Sequence, residues 1–337
     1  MLFLTLQTVQ QIYLKTYFRN FISQFRSQFF NLKLNTKKVN KYTHSHIYIK
    51  LNIMVDYAQN QNQTNGKGRK ELLFSGGAGA VGFQMGYTHG IMEIVGKDKL
   101  KEYCFGGVSA GTAVAAFTLM ALYSDVDLKQ SYQNQIRKLF QKENRKYLGL
   151  ISNGQLIFQM AMDFWEDHQK LNLPSLNERY HVYYTSIEGI LSLKENIVHQ
   201  FTDQLHFSHS VEASCTLPII TRFGFYKKFN GQKVLDGGFT KPIPYRYKDS
   251  KKVFLNVMPK ALRYTRENIK NLSIIDLTEN SDVSFPLDYW VWSEYWADEM
   301  FLKGYLQALQ DKDIITKAFQ EDEECDQKID EIDFQLQ

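Results

Sequence analysis

Between residues 71 and 122 the chain alternates twice between a short apolar run, a glycine-rich turn and a longer apolar stretch, and few folds accommodate that order. Residues 71–74 (ELLF) read as a buried strand closed by Ser75-Gly76-Gly77. After the glycines, Phe83, Tyr87, Ile91 and Ile94 fall near helical spacing. Gly82, Gly86 and Gly90 recur every four residues and make a second helix face thin enough to pack close to a sheet. Residues 103–105 (YCF) read as a second strand and 112–122 as a wholly apolar helix. Strand, helix, strand, helix within about fifty residues predicts parallel pairing through right-handed crossovers.

Beyond this core, residues 125–175 read as helices with charged faces that end near Pro174, and 181–190 return to a strand pattern. A helix-like stretch, 208–217, stops at Pro218; 233–239 and 251–258 are two further strands, and 293–312 form an amphipathic helix. The expected organisation is one α/β body over 70–315, preceded by a basic extension and linker over 1–69 and followed by an acidic tail over 316–337.

The extension is set apart by charge. Residues 1–53 carry eight Lys or Arg and no Asp or Glu, so the net charge of +4 leaves the remainder at −4 and gives the body no electrostatic reason to bind nucleic acid. Acid-free and amphipathic, the segment fits an organelle transit peptide or a membrane-surface helix, and Met54 offers an alternative start that would leave it untranslated. Cys104, Cys215 and Cys325 have neither metal-ligand nor disulfide spacing, which points to a reducing compartment. Tyr103–Ser124 is an uncharged run long enough to span a bilayer, but its glycines around a serine favour a strand, a turn and a buried helix.

Two glycine motifs carry chemistry. Gly77, Gly79 and Gly82 spell G-x-G-x-x-G, the pattern of a dinucleotide-binding turn, yet that reading needs an acid at the end of the second strand, where Phe105-Gly106-Gly107 stands instead. Gly107-Val108-Ser109-Ala110-Gly111 is G-x-S-x-G between a strand and an apolar helix, the context of a nucleophile elbow. Such a turn strains the serine backbone to expose Oγ, and its neighbours two residues away must be small.

A serine hydroxyl needs a base. No histidine follows Asp236, so the Ser, acid, His order of α/β-hydrolases is not met there; a triad from Asp163 or Asp203 with His206 or His209 is the competing assembly. Asp236, in Leu235-Asp236-Gly237-Gly238, sits at a strand end running into glycines, where an acid either forms the turn or serves directly as base for Ser109. A carboxylate acting alone depends on close positioning and strong oxyanion stabilisation, for which the N–H groups of the first glycine turn are candidates.

Residues 77–82 (GAGAVG), 107–111 (GVSAG) and 236–238 (DGG), in that order, resemble the three signatures of the patatin-like phospholipase family. Residues 213–218 (ASCTLP) and 236–244 (DGGFTKPIP) are similar to loop segments of that family, and the likeness covers about residues 70–310. The resemblance implies a three-layer α/β/α domain with a mainly parallel central sheet. It implies Ser109 as nucleophile, Asp236 as base, the amides of Gly77, Ala78 and Gly79 as oxyanion hole, and Gly82, Gly107, Gly111, Gly237 and Gly238 as motif glycines, with neither metal nor cofactor. Val81 and residues 213–215 look closest to the triacylglycerol-lipase branch, whereas many members carry Arg or Lys at the position of Val81 and Asn at that of Pro242.

The implied activity is hydrolysis of fatty-acyl esters of phospholipids or acylglycerols through an acyl-enzyme; a catalytically silent lipid-binding or scaffold protein on the same fold is the alternative. The implied setting is the cytoplasmic side of a membrane or lipid droplet. Residues 288–296 (DYWVWSEYW) supply aromatic material for such a surface or for packing of the last helix.

Overall fold

The protein is represented by a computed structural model that describes residues 68–140, 153–171, 174–188, 192–218, 221, 225–258, 269–279, 281, 283 and 293–320. The readings of the basic extension, of most of the aromatic run and of the acidic stretch from Glu321 fall outside these residues.

The fold is α/β, with a mainly parallel mixed sheet flanked by helices. β1 (Lys70–Phe74) lies at its middle, paired in parallel with β2 (Tyr103–Val108) on one edge and β7 (Lys251–Asn256) on the other. β3 (Tyr180–Glu188) continues the parallel set beyond β2, and β8 (Leu272–Asp276) beyond β7. β4 (Ser192–Val198) and β6 (Gln232–Asp236) both run antiparallel to β3, and β5 (Lys227–Phe229) pairs with β6.

Side-chain alternation divides the sheet into two chemically unlike faces. Leu72 stands beside Phe105 and Val253, and Phe105 beside Tyr180, so one face is apolar and buried under α1 (Val81–Val95) and α3 (Ala110–Tyr123). The other face carries Glu71 beside Cys104 and Lys252, with His181 beside Gly106. Residues 240–250 close it. The Glu71 carboxylate accepts from the Arg246 N–H at 2.7 Å, the Tyr247 N–H at 3.2 Å and the Ser250 hydroxyl. Lys252 Nζ donates to the carbonyls of Lys248 and Ser250 at 3.0 and 2.7 Å. Burial raises the Glu71 pKa and pushes that of His181 down to about 3, so the imidazole is neutral and serves as a hydrogen-bonding spacer with Nε2 2.8 Å from the Pro244 carbonyl.

The expectation for the thin face of α1 is corrected. Gly82 makes room for the Tyr132 hydroxyl, and the other two receive not the sheet but α7 (Glu294–Gln310): a Cβ at Gly86 would strike the Phe301 carbonyl oxygen, one at Gly90 the Ala308 Cβ, and, reciprocally, one at Gly304 the Phe83 carbonyl oxygen. At Gly86 and Gly304 backbone lies on backbone because neither residue has a side chain, which trades side-chain burial for close main-chain contact. The last helix is also shorter than expected, ending at Gln310, and α8 (Lys312–Gln320) follows with Ile315 and Phe319 buried. The Phe319 ring lies 5.4 Å from that of Tyr103, so residues 316–320 belong to the packed body and not to a tail.

The uncharged run from Tyr103 to Ser124 is β2, a sharp turn and α3, a helix buried almost all round. Among the described residues no helix is long and apolar enough to cross a membrane.

Candidate active site

β2 extends through Gly106, Gly107 and Val108, three residues further than its apolar run suggests, and delivers Ser109 to the junction with α3. Ser109 has φ 55° and ψ −134°, a conformation that side-chain-bearing residues rarely adopt and that costs about 1–3 kcal/mol. The turn closes only on glycine: a Cβ at Gly107 would lie 2.5 Å from the Gly111 carbonyl oxygen, and one at Gly111 2.5 Å from the carbonyl oxygens of Phe74 and Ser75. The Ser109 carbonyl is held from within the helix, by the Thr112 hydroxyl at 2.6 Å and the Thr112 N–H at 3.0 Å. Ser109 remains 8% exposed.

Asp236 comes to the same point from the opposite direction. Residues 180–183 of β3 pair with β2 and residues 184–187 pair with β6, while β4 occupies the other edge over residues 182–188. β2 therefore ends at Val108 against Tyr183, and β6 ends at Asp236 against Tyr184. Parallel and antiparallel strands thus finish head to head on one edge, one residue apart. Gly237 completes the junction, since a Cβ there would collide with the Tyr183 carbonyl oxygen.

The aspartate is fixed at every main-chain polar atom. Its N–H donates to the Thr216 carbonyl at 2.8 Å, its carbonyl accepts from the Thr185 hydroxyl at 2.8 Å, and its Oδ1 accepts from the Gly238 N–H at 2.8 Å. With only 3% exposure, burial raises its pKa to about 7, opposed by the Ser109 hydroxyl and the Gly238 N–H. The Ser109 hydroxyl thus faces the carboxylate, at a geometry looser than a full hydrogen bond, since Oδ2 is buried with no hydrogen-bond partner among the described residues. Contacts of this kind tighten when a substrate excludes the remaining freedom.

The first glycine turn lies against this pair. A Cβ at Gly76 would sit 3.0 Å from the Ser109 Cβ, which makes glycine the residue that lets the loop pass. The loop is anchored to β7 by the Ser75 N–H to the Leu255 carbonyl at 3.1 Å and the Val257 N–H to Ser75 Oγ at 2.8 Å. Ala78, at φ 45°, is exposed and opens a 3-10 turn (Ala78–Ala80) into α1. Opening residues of a helix have no helical carbonyl to bind. No acceptor for the N–H groups of Gly77, Ala78 and Gly79 is found among the described residues.

The competing triad is not assembled. Asp163 is paired with Lys138 at 2.5 Å, Asp203 caps α6 (Gln204–Ser214) through the His206 N–H at 2.8 Å, and among the described residues no histidine bonds Ser109 or Asp236. His168 Nε2 lies 3.0 Å from the Pro174 carbonyl. Among the described residues there is no group of three or more His, Cys, Asp or Glu arranged to hold a metal.

Three residues of the site were not singled out by sequence. Ser214 Oγ accepts the Ser109 N–H at 3.0 Å, Thr216 receives Asp236, and Thr185 binds both the Asp236 carbonyl and Thr240, the latter at 2.9 Å. Ser214 and Thr216 lie in the stretch 213–218, whose family-like pattern is the sequence signal that points to them. Nothing in the sequence of β3, buried along most of its length, distinguishes Thr185.

No family model matches the sequence, and no curated protein matches it. Among solved structures the chain is similar to VipD from Legionella pneumophila, at 12% identity and a TM-score of 0.36, with 73% of this chain and 67% of that chain covered.

Proposed function

We propose that the protein is a serine acyl hydrolase that cleaves fatty-acyl esters of lipids with Ser109 as nucleophile and Asp236 as base. The observation that carries this reading is the strained Ser109 held at a strand-to-helix turn against a buried carboxylate whose pKa is about 7. Burial supplies what a lone aspartate lacks, a basicity matched to neutral pH.

In the proposed reaction Asp236 takes the Ser109 proton as Oγ bonds to the ester carbonyl carbon. The N–H groups of Gly77, Ala78 and Gly79 receive the oxyanion, which needs little reorganisation because they have no acceptor among the described residues to give up. Collapse of the tetrahedral intermediate expels the alcohol, which leaves with the proton held by Asp236. Water then attacks the acyl-enzyme and gives a proton to Asp236. Release of the fatty acid returns that proton to Ser109.

The lipid character of the substrate rests on the resemblance of the three glycine motifs to the patatin-like phospholipase family. Val81 and the 213–215 stretch favour acylglycerols within that class. The substrate is proposed to be met at a membrane or lipid-droplet surface. Hydrolysis of a chromogenic acyl ester tests the reading: wild-type protein turns over, whereas Ser109→Ala and Asp236→Asn lose activity by about 1,000-fold or more while staying folded. Folded wild-type protein with no turnover on any acyl ester favours a lipid-binding scaffold instead.

A further inference from the structure

We propose that Ser214 is a positioning residue for the reaction of Ser109, an inference that rests on the acyl-hydrolase reading. The backbone of Ser109 is strained, and such a conformation persists only where its surroundings over-determine it. Its carbonyl is held locally by Thr112, but its N–H is held by a residue from a different element, Ser214 Oγ at 3.0 Å.

Ser214 is well placed for this task. It is the last residue of α6 and fully buried. The helix beneath it is fixed by Phe207 and Val211 in the core and by the Asp203 cap at its start. The same turn receives the N–H of Asp236 on the Thr216 carbonyl, at 2.8 Å. One short segment at the end of α6 therefore ties the main chains of both reacting residues, which arrive on different strands, into a single frame. Removing the Ser214 hydroxyl leaves a buried N–H without an acceptor and releases one side of the elbow, so Oγ drifts from the carboxylate. A misplacement of about 1 Å costs on the order of 100-fold in rate.

The closing experiment compares full-length wild type with Ser214→Ala, and Ser214→Thr with Ser214→Val, a pair of similar shape that differs in the hydroxyl. Ser208→Ala is the control, because Ser208 Oγ is buried on the same helix with no hydrogen-bond partner among the described residues. Steady-state hydrolysis of a chromogenic acyl ester is followed against pH. The expected result for Ser214→Ala is a fall in kcat of about 10- to 100-fold with KM unchanged. The pH midpoint should stay at its wild-type value, since Thr216, Thr185 and Gly238 still hold Asp236. Ser214→Thr should exceed Ser214→Val by about tenfold or more in kcat, and Ser208→Ala should match wild type. Equal kcat for the Thr and Val variants overturns the proposal. So does a loss in Ser214→Ala that appears in KM or comes with a lowered pH midpoint, the signature of a loosened site that readmits water to Asp236. Wild-type protein that is folded and inert sinks the hydrolase reading itself, and this inference with it.

Discussion

Val108 and Asp236 are the last residues of two strands that approach one edge of β3 from opposite directions and stop against the consecutive residues Tyr183 and Tyr184. This register is what brings Ser109 to Asp236. It also buries the carboxylate, because the space beyond each strand end is filled by the other, and from that burial follows the dependence of activity on pH. As the proposed base, Asp236 must be ionised to accept a proton, so kcat/KM for ester hydrolysis is expected to rise with pH through a midpoint near 7. A midpoint near 4, where an ordinary aspartate titrates, would contradict a carboxylate raised by burial.

The same shift has the opposite consequence for stability. The folded-state pKa of Asp236 lies above its unfolded value, so the native state binds the proton more tightly. The stabilisation this gives is fully present below pH 3.8 and is lost as pH rises through about 7. Asp236→Asn removes this slope, and its melting temperature should exceed that of wild type by several degrees at pH 8, with the gap closing below about pH 4. Thermal unfolding of the two proteins across that range checks it.

The elbow predicts a steric threshold. Gly111→Ala places a methyl group against the carbonyl oxygens of Phe74 and Ser75, which belong to the central strand and its glycine turn and have little room to shift. Destabilisation of about 2–4 kcal/mol is expected, with loss of ester hydrolysis even where the protein remains folded. Chemical denaturation and activity on one preparation measure both.

A similar argument holds far from the chemistry. Gly304→Ala drives a methyl group into the Phe83 carbonyl and prises α7 from α1, at a cost of about 1–3 kcal/mol. Glu71→Ala should cost more, about 3 kcal/mol or above, because it orphans the N–H groups of Arg246 and Tyr247 and the Ser250 hydroxyl in a dry interior. Denaturant midpoints rank the two substitutions.

The parts of this fold that the sequence makes legible are those where burial is complete. β1, β2 and α3 are apolar runs punctuated by glycine, and Ser109 stands out because only a glycine-flanked serine fits such a turn. The strands that escape notice are half-polar or short. β4 (SLKENIV) alternates charge with apolar side chains, β5 has three residues, and β8 mixes Ser and Asp with its isoleucines. The glycine stripe of α1 announces a close neighbour without naming it, because Gly304 lies at the other end of the chain. Ser214 lies in a stretch with a family-like pattern, but its tie to the Ser109 N–H exists only in three dimensions. The pKa of Asp236 is likewise a property of packing and not of the motif that contains it.

The central claim is that Ser109 is an activated nucleophile. A fluorophosphonate probe, followed by proteolysis and mass spectrometry of the full-length protein, tests it most directly. The account predicts a single covalent adduct on the peptide carrying Ser109, absent from Ser109→Ala and formed about 100-fold more slowly in Asp236→Asn. Folded protein that leaves Ser109 unmodified, or that carries the adduct on a different serine, would contradict it.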